Sequence, residues 1–455
     1  MHKDPRETSL SWLRAELVKL GIQSYIIPAN DVQGPSLHCG WGDNMVTVSV
    51  SYRSYIFLKS YGTWETFQEI ALKSALRRLQ EGERIMSLDK KFRTLVVQPT
   101  TLCNLNCSYC YISASERKTR REMPLNLVEA LAASVAEQKE SVDLVWHGGE
   151  PLTVRRENFI RMCDLFEPLR RKGKVKHFVQ TNATMIDDSW CDFFKRYAFN
   201  VGISIDGPAV ANSHRVDWAG RETFTRTMRG INTLKRNGIP FSIICVVTRE
   251  SIKNPDPLFE FFEGLGAESV GFNIEEEEGS NNIRETAPMD EVRAFWRLLF
   301  DRINSGSRIP SREAGRLFGY LADVKAGNKK KWTSTKVEPI PTVSWIGNVV
   351  LLSPEFLGVN APEHENFVVG NVLRESIPTM LSRAQEVPYV RELLEGVQNC
   401  RNSCDFFTFC QGGQASNRYF ELGDLTATET TYCRQSKQQL VLALNEHVEK
   451  SHDGT

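Results

Sequence analysis

Cys103, Cys107 and Cys110 have the residue type and the spacing to hold a metal centre. They follow directly after an apolar, strand-like run at 94–98. Thiolates are the ligands of iron–sulfur clusters, and a four-iron cluster normally takes four of them. Three closely spaced thiols therefore predict a cluster with one iron open to a non-protein ligand. A zinc site and cysteines that only pack in a core are the alternatives, although the spacing matches neither a ferredoxin nor a zinc ribbon.

Three further apolar segments end in motifs that carry polar groups. Trp146 to Pro151 contains Gly148, Gly149 and Glu150, and the later motifs contain Thr181 and Asn182, then Ser204 and Asp206. Together with the cysteines, and in this order, they closely resemble the radical SAM superfamily, whose CxxxCxxC motif carries the cluster that binds and cleaves S-adenosylmethionine. The chain is identified as a member of that superfamily, and the resemblance covers roughly half of it.

The resemblance implies contacts to S-adenosylmethionine at the strand ends. The three cysteines would leave one iron for its amino and carboxylate groups, and Gly148 and Gly149 would let the backbone approach the amino group. Arg215 matches the arginine that pairs with the methionine carboxylate, which its planar guanidinium suits. For each residue, a turn former or a satisfied polar group is the alternative. The other expected cofactor-binding residues are Tyr109, Glu150, Thr181, Asn182, Ser204, Val247 and Asn273.

The elements that must position these residues alternate between strand and amphipathic helix. Repeated strand–helix units predict parallel strands joined by right-handed crossovers, with ligand sites at the C-terminal ends of the strands. We therefore predict an α/β fold in which residues 89–325 form a partial (β/α)6 radical SAM barrel. The predicted strands are 94–98, 142–146, 175–180, 200–206, 241–248 and 268–274.

Residues 1–88 are predicted to form a small α+β domain of their own. Helical periodicity covers 10–20 and 63–79, and strand patterns cover 24–27 and 45–52, with Gly40, Gly42 and Asn44 as turn residues. Such a domain could bind a peptide by adding it to a sheet edge. The alternative is a structural cap on the barrel.

A second set of cysteines lies near the C-terminus. Cys400, Cys404, Cys410 and Cys433 stand in a polar, turn-rich tail. Four thiolates suffice for a second 4Fe-4S cluster, and a tetrahedral zinc site is the alternative. With the stretch 370–372, this tail resembles the SPASM domain of radical SAM peptide-modifying enzymes. We expect residues 326–455 to form a SPASM-like domain with one auxiliary cluster, since the segment 343–354 lacks the cysteines of a second one.

The C-terminal motifs resemble one group more closely, the cyclophane-forming peptide maturases of the GrrM/OscB type. The matching stretches are 272–279, 400–413, 415–418, 421–424 and 426–434, with Gln411 as a departure from the usual glycine. This resemblance implies a radical SAM enzyme that acts on a ribosomally synthesised precursor peptide with a leader. Its cofactors would be S-adenosylmethionine and two 4Fe-4S clusters, reduced by an external donor such as a flavodoxin or a ferredoxin.

The implied reaction joins an aromatic ring to the Cβ of a nearby residue. A 5′-deoxyadenosyl radical takes a hydrogen from Cβ, the carbon radical adds to the ring, an electron leaves and a base removes the ring proton. Asp206, Glu275 and Glu276 are the candidate bases. Another modification on the same scaffold (a thioether, an epimer or formylglycine) is one alternative, and a peptide-binding electron-transfer partner is another.

Composition limits the remaining classes of function. The chain has 455 residues, enough for more than one domain, with 56 basic and 56 acidic side chains. This balance gives no reason to expect nucleic acid or a membrane surface as a partner. The sequence has no apolar run of transmembrane length and no signal peptide, and its eleven cysteines suit a reducing compartment. We therefore expect a cytoplasmic protein.

Overall fold

The computed structural model describes residues 85–282, 286–328 and 330–453, and the backbone of three strands closer to the N-terminus. These strands, β1 (Gln23–Ile27), β2 (Ser36–Trp41) and β3 (Asn44–Ser49), form an antiparallel sheet in the order β1-β2-β3. β1 and β3 match the strand patterns of the sequence. Gly40 and Asn44, both interpreted as turn residues, instead lie within β2 and at the start of β3. The predicted helices at 10–20 and 63–79 lie outside the described residues.

The chain divides into two compact units, each built from separate stretches of sequence. The first contains Met1–Ser87, Lys330–Thr335 and Leu394–Gly412. The second contains Leu88–Lys329, Lys336–Leu393 and Gly413–Thr455, and it carries the large sheet. A short strand, β4 (Ser87–Leu88), stands where the first stretch meets the second. The three-domain division expected from the sequence stays a prediction.

The large sheet contains six parallel strands that lie side by side in chain order. They are β5 (Thr94–Val97), β6 (Val142–Trp146), β7 (Val175–Thr181), β8 (Asn200–Ser204), β9 (Phe241–Val247) and β10 (Ser269–Ile274). Each predicted strand coincides with one of these to within two residues. The fold is therefore α/β, as predicted.

Short strands extend this sheet on the side of β5, so the barrel is not closed. After β11 (Lys336–Val337), the strand β12 (Thr342–Val343) pairs in parallel with β5. β13 (Asn348–Val350) and β14 (Gly370–Asn371) then continue the sheet in antiparallel fashion. The outer strands are β10 at one edge and β14 at the other.

Helices connect the parallel strands and cover the sheet. Among the helices that the structure describes, none combines the length and apolar character that a membrane crossing needs. In chain order they are α1 (Ala114–Lys118), α2 (Leu125–Ala136), α3 (Arg156–Arg171), α4 (Asp188–Arg196), α5 (Phe224–Arg236), α6 (Arg249–Lys253), α7 (Asp256–Leu265), α8 (Met289–Asn304), α9 (Arg312–Lys325), α10 (Ile377–Arg383), α11 (Pro388–Ser403), α12 (Phe407–Cys410), α13 (Ala415–Leu422) and α14 (Gln439–Asp453).

Aromatic packing holds the strand ends of β6 and β7 in place. Trp146 has no solvent exposure, and its ring meets Phe159 of α3 edge to face with centroids 5.1 Å apart. Its Nε1 donates a hydrogen bond of 3.2 Å to Nδ1 of the buried His177 in β7. Because the motif with the paired glycines follows Trp146 directly, this core fixes where that motif begins.

Candidate active site

The C-terminal ends of the parallel strands border a cavity of about 340 Å³. All of it lies in the unit that carries the large sheet. The residues that line it include most of those that the sequence proposed, whether for the cluster, for S-adenosylmethionine or as a base. These are Cys103, Cys107, Tyr109, Cys110, Gly149, Glu150, Thr181, Asn182, Ser204, Arg215, Asn273, Glu275 and Glu276.

The loop with the three cysteines is held by two side chains that the sequence did not single out. Arg117 of α1 is buried and donates to the carbonyl oxygens of Ile112 and Leu105, at 2.9 and 3.2 Å. Trp218 donates from Nε1 to the Cys103 carbonyl at 2.8 Å. Both act on backbone oxygens, so they fix the loop without using the thiols.

The three thiols sit in surroundings that favour their neutral form when no cation is near. Burial raises the pKa of Cys107 to about 11, against the opposing charge of Arg215. Burial also raises the pKa values of Cys103 and Cys110. Because thiolates are the form that binds metal, the positive charge of bound iron would offset this cost.

The three thiols line one cavity but do not form a compact single-metal site. Across 85–282, 286–328 and 330–453, no three His, Cys, Asp or Glu side chains gather closely enough to hold one metal ion. All three thiols nevertheless line the same cavity. Three thiolates that border one cavity are the donor set that a four-iron cluster with one open iron would use.

Gly148 and Gly149 are needed because the turn packs against the chain itself. Their φ angles are +91° and +59°, a region that L side chains rarely adopt. A Cβ on Gly149 would lie 2.6 Å from the Leu102 carbonyl oxygen, and one on Gly148 would lie 2.7 Å from the Gln98 side chain. The glycines thus bring the turn against the cysteine loop. Gly149 lines the cavity and Gly148 does not.

The Glu150 carboxylate is buried and accepts three hydrogen bonds. The donors are the Leu152 N–H at 3.0 Å, the Thr181 hydroxyl at 2.7 Å and the Asn182 N–H at 2.8 Å. Burial raises the pKa of Glu150, and these hydrogen bonds oppose the shift. The motif after β6 and the motif after β7 are therefore joined through one carboxylate.

Asp206 and Arg215 form a buried ion pair, which changes the roles expected of both. Arg215 donates from Nε and Nη2 to the two oxygens of Asp206, at 2.9 and 3.1 Å. The Asp206 carboxylate also accepts from the Tyr109 hydroxyl and from the Val246 N–H. Asp206 does not line the cavity. Its carboxylate is thus committed to positioning Arg215 and Tyr109, which argues against its expected role as the base.

The structure corrects one lining residue by a single position. Val246 lines the cavity, whereas Val247 is fully buried in the core. Successive side chains of a strand point to opposite faces, so only every second residue of β9 can face the cavity. Ser204 and Asn273 do line it, and they accept hydrogen bonds from Gln180 at 2.8 Å and from Arg312 at 2.6 Å.

Carboxyl groups from two segments complete the cavity lining. Glu275, Glu276 and Glu278 follow β10, and Glu355 comes from the segment after β13. Burial, opposed by a hydrogen bond from Asn417, raises the pKa of Glu276 to about 7. Burial and the neighbouring charges of Glu355 and Glu276 raise the pKa of Glu278 to about 10. From the sequence alone, a solvated loop is the expectation for most of the acidic run 275–278. Three of its four glutamates line the cavity instead.

Comparison with known proteins identifies the family. The model of the radical SAM superfamily matches residues 97–262. An uncharacterised protein of Synechocystis is 33% identical over 360 residues, which cover 76% of this chain and 89% of that protein. The chain belongs to the radical SAM superfamily.

Other relatives of this radical SAM protein share most of its length. The cysteine-type anaerobic sulfatase-maturating enzyme of Clostridium perfringens is 25% identical over 370 residues, covering 77% of this chain and 92% of that enzyme. A solved structure of anSMEcpe with bound AdoMet has a TM-score of 0.63 at 23% identity, covering 78% of this chain and 98% of that one. Streptococcus suis SuiB bound to precursor peptide SuiA has a TM-score of 0.53 at 16% identity, with 87% and 96% covered. At these identities the two structures show a shared fold.

Several residues of the radical SAM site escaped the sequence reasoning, among them Glu355 and His147. Glu355 lines the cavity, and its only sequence signal is that it follows a strand-like segment closely. His147 precedes the paired glycines, and burial lowers its pKa to about 4, so its imidazole is neutral at pH 7. The Nε2 of His147 lies 3.5 Å from the Tyr111 hydroxyl.

Three of the four C-terminal cysteines lie together in the first unit. Cys400 is buried in α11, Cys404 follows that helix and Cys410 ends α12. The Cys404 N–H donates to the Cys400 carbonyl at 2.8 Å, and burial raises the pKa of Cys404 to about 12, with Cys400 and Cys410 adding to the shift. Cys433 belongs to the second unit, where the Gln438 side chain contacts its Sγ at 3.7 Å.

Proposed function

We propose that this radical SAM enzyme modifies a ribosomally synthesised precursor peptide by joining an aromatic ring to the Cβ of a nearby residue. The observation that carries the proposal is a single cavity lined both by the three thiols and by the carboxylate of Glu275. Such a reaction needs a radical source and a proton acceptor beside the same substrate. The names of the relatives, sulfatase-maturating enzymes and SuiB with its precursor peptide, support a peptide or protein substrate.

The residues of the cavity have distinct tasks in this proposal. When bound, the cluster and S-adenosylmethionine supply a 5′-deoxyadenosyl radical. Cys103, Cys107 and Cys110 would hold the cluster. Arg215 lines the cavity, and Asp206 takes one N–H from Nε and one from Nη2, so three of the five N–H donors of the guanidinium are left to bind the methionine carboxylate. The protein's contribution is to orient the reacting groups and exclude water.

Glu275 is the proposed base. It lines the cavity, burial raises its pKa, and its carboxylate accepts one hydrogen bond, from Asn281 at 3.4 Å. Asp206, by contrast, is committed to Arg215, and Glu276 accepts a short hydrogen bond of 2.8 Å from Asn417.

In the proposed reaction the peptide loses one hydrogen atom, one electron and one proton. The C–H bond at Cβ breaks and its hydrogen atom goes to the deoxyadenosyl group. A C–C bond forms to the ring, one electron leaves and the ring proton goes to Glu275. We propose that the electron acceptor is an auxiliary 4Fe-4S cluster, for which the resemblance to SPASM domains implies Cys400, Cys404, Cys410 and Cys433 as ligands. A flavodoxin or ferredoxin would reduce the first cluster.

The test is co-expression with a candidate precursor peptide, and reaction in vitro with the same peptide deuterated at Cβ, each followed by mass spectrometry. We expect the peptide to lose two hydrogens per crosslink, with one Cβ deuterium recovered in 5′-deoxyadenosine. Glu275→Gln should lower the yield of crosslink, while Glu277→Gln, a neighbour that does not line the cavity, should leave it unchanged. A product with both ring and Cβ hydrogens intact would contradict the proposal.

Formylglycine formation is the second candidate, because several relatives are sulfatase-maturating enzymes. Oxidation of a serine to formylglycine also removes two hydrogens, so the mass change alone does not separate the two reactions. Treatment with hydroxylamine does, because only an aldehyde forms an oxime. An oxime on the modified peptide would support formylglycine. The absence of fragment ions from the backbone between the two linked residues would support the crosslink.

A further inference from the structure

The residues after β10 give the cavity an acidic wall, defined here as Glu276, Glu278 and Glu355. All three line the cavity, which brings carboxyl groups from two distant parts of the chain into one space. Among the described residues that line it, Arg215 is the only arginine or lysine, and Asp206 holds Arg215 in an ion pair. The wall therefore lacks a cation of its own within the cavity.

The groups that face the wall from outside the cavity do not balance its charge. Lys437 lowers the pKa of Glu276, but it lies over the Tyr432 ring, 5.2 Å from the centroid, and does not line the cavity. The negative charge of Glu421, by contrast, raises the pKa values of both Glu276 and Glu278. The phenol of Tyr111 also faces Glu355 and Glu278 and is neutral, since burial raises its pKa well above the usual value.

A buried acceptor beside the wall also lacks a donor. Asn417, in the first turn of α13, has no solvent exposure, and its Nδ2 donates to Glu276 at 2.8 Å. Its Oδ1 is buried and has no hydrogen-bond partner in the part of the chain that the structure describes. A buried amide oxygen without a donor is unfavourable. Asn417 itself does not line the cavity, so the missing donor lies directly behind Glu276.

We propose that the acidic wall binds a basic side chain, lysine or arginine, of the peptide substrate. The proposal rests on the proposed function, since it assumes that a peptide enters this cavity. An ammonium carries three N–H donors and a guanidinium five, enough to donate to each of the three carboxylates that line the cavity. A cation there would also favour the ionised carboxylates, whose mutual repulsion otherwise keeps them protonated.

S-adenosylmethionine is itself cationic, but its expected protein partner is a different carboxylate, that of Glu150. Glu150 takes its hydrogen bonds from the motifs after β6 and β7, whereas Glu276 and Glu278 take theirs from Asn417 and Ser416. The two carboxylate sets share no donor. They can therefore bind different cations, one from the cofactor and one from the substrate.

The first test measures binding, which does not depend on turnover. Calorimetry on the reconstituted full-length protein with S-adenosylmethionine would compare an N-acetylated, C-amidated Gly-Lys-Gly peptide with its norleucine analogue. We expect the lysine peptide to bind about 10- to 100-fold more tightly, the range for a hydrogen-bonded charge. Repeating the titration in buffers of different ionisation enthalpy should show proton release at pH 7, because a cation favours the ionised carboxylates.

Variants then locate the contact. Glu278→Gln should remove most of the preference for lysine, and Glu277→Gln should keep it, since that neighbour does not line the cavity. Equal affinity of the wild-type protein for the lysine and norleucine peptides would overturn the inference. So would competition between the lysine peptide and S-adenosylmethionine, which would assign the wall to the cofactor.

A third measurement separates this inference from the proposed function. The precursor peptide would be prepared with its basic residues replaced one at a time by norleucine. A large rise in KM at one position is the expected result. Unchanged crosslinking of every such peptide would refute basic-side-chain recognition while leaving the crosslinking reaction intact. Absence of any crosslink, together with tight binding of Gly-Lys-Gly, would instead count against the reaction.

Discussion

Arg215 and Asp206 face each other with two nearly parallel hydrogen bonds, 2.9 and 3.1 Å long, and the Asp206 side chain has no solvent exposure. The ring of Tyr109, next to the cysteines, lies under the same guanidinium at 5.5 Å. The cysteine loop and the end of β8 are therefore joined through one buried charge pair.

Removing the charge of Asp206 should destabilise the protein strongly. Asp206→Asn leaves the Arg215 guanidinium buried without its anion, and breaking such a pair from one side costs about 3–5 kcal/mol. Chemical denaturation should show this loss, and binding of S-adenosylmethionine should weaken. The control is Asp188→Asn, which removes an exposed ion pair with Arg236 and should leave the unfolding free energy unchanged.

Gly149→Ala should damage the site more than Gly173→Ala, although both glycines have a left-handed backbone. Gly173 also has a left-handed backbone, with φ of +71°, but a Cβ there meets nothing within 4 Å. Gly173→Ala should therefore cost only about 1–2 kcal/mol from strain. At Gly149 the new Cβ would also collide with the Leu102 carbonyl, 2.6 Å away. We expect this variant alone to lose iron after reconstitution, and equal iron in both variants would count against the packing role of Gly149.

The first three cysteines should account for half of the iron. If both clusters form, the reconstituted protein holds about eight irons per chain, and replacing Cys103, Cys107 and Cys110 with alanine should leave about four. Formation of 5′-deoxyadenosine should stop. Cys163→Ala alters a buried cysteine of α3 that does not line the cavity, so iron content and cleavage should persist. Cleavage of S-adenosylmethionine by the triple variant would refute the assignment of the thiols.

The auxiliary cysteines should affect crosslinking and not radical formation. Cys404→Ala should remove the proposed second cluster while the cavity of the other unit is unaltered. If that cluster takes the electron, crosslinked product should fall steeply and 5′-deoxyadenosine should still appear slowly. Iron analysis and product assays on the same sample make the comparison. Full crosslinking by a variant shown to hold only about four irons would exclude the electron-transfer role.

Stability should fall as pH rises because of the acidic wall. The pKa of Glu276 is raised from 4.5 to about 7 in the folded protein, and that of Glu278 from 4.5 to about 10. The folded state therefore binds more protons than the unfolded chain above pH 4.5. Their contribution is fully present below that pH and is lost as pH rises through each folded pKa.

Thermal melts between pH 5 and pH 9 would measure this slope for the protein without added cofactors. Glu278→Gln should flatten it, because glutamine keeps the shape of the side chain and does not titrate. The neighbouring Glu277→Gln should keep the wild-type slope. A slope in Glu278→Gln as steep as that of the wild type would show that other groups cause it.

Patterns within contiguous residues predicted much of the architecture and most of the site. Strand and helix periodicity located β5 to β10, and motif spacing led to Cys103, Glu150 and Arg215, all of which line the cavity. These features depend on side-chain order along a short segment, which determines local backbone structure and places motif residues at strand ends. The C-terminal ends of parallel strands then meet at one edge whatever the details of packing.

Only the tertiary structure decided which groups meet across the site. It paired Asp206 with Arg215, placed Val246 and not Val247 at the cavity, and brought Glu355 to Glu278. A shift of one residue along a strand reverses the face of a side chain, which hydrophobic patterning does not resolve in a strand buried on both sides. The acidic wall depends on contacts between residues far apart in the chain, and such contacts follow from how the whole core packs.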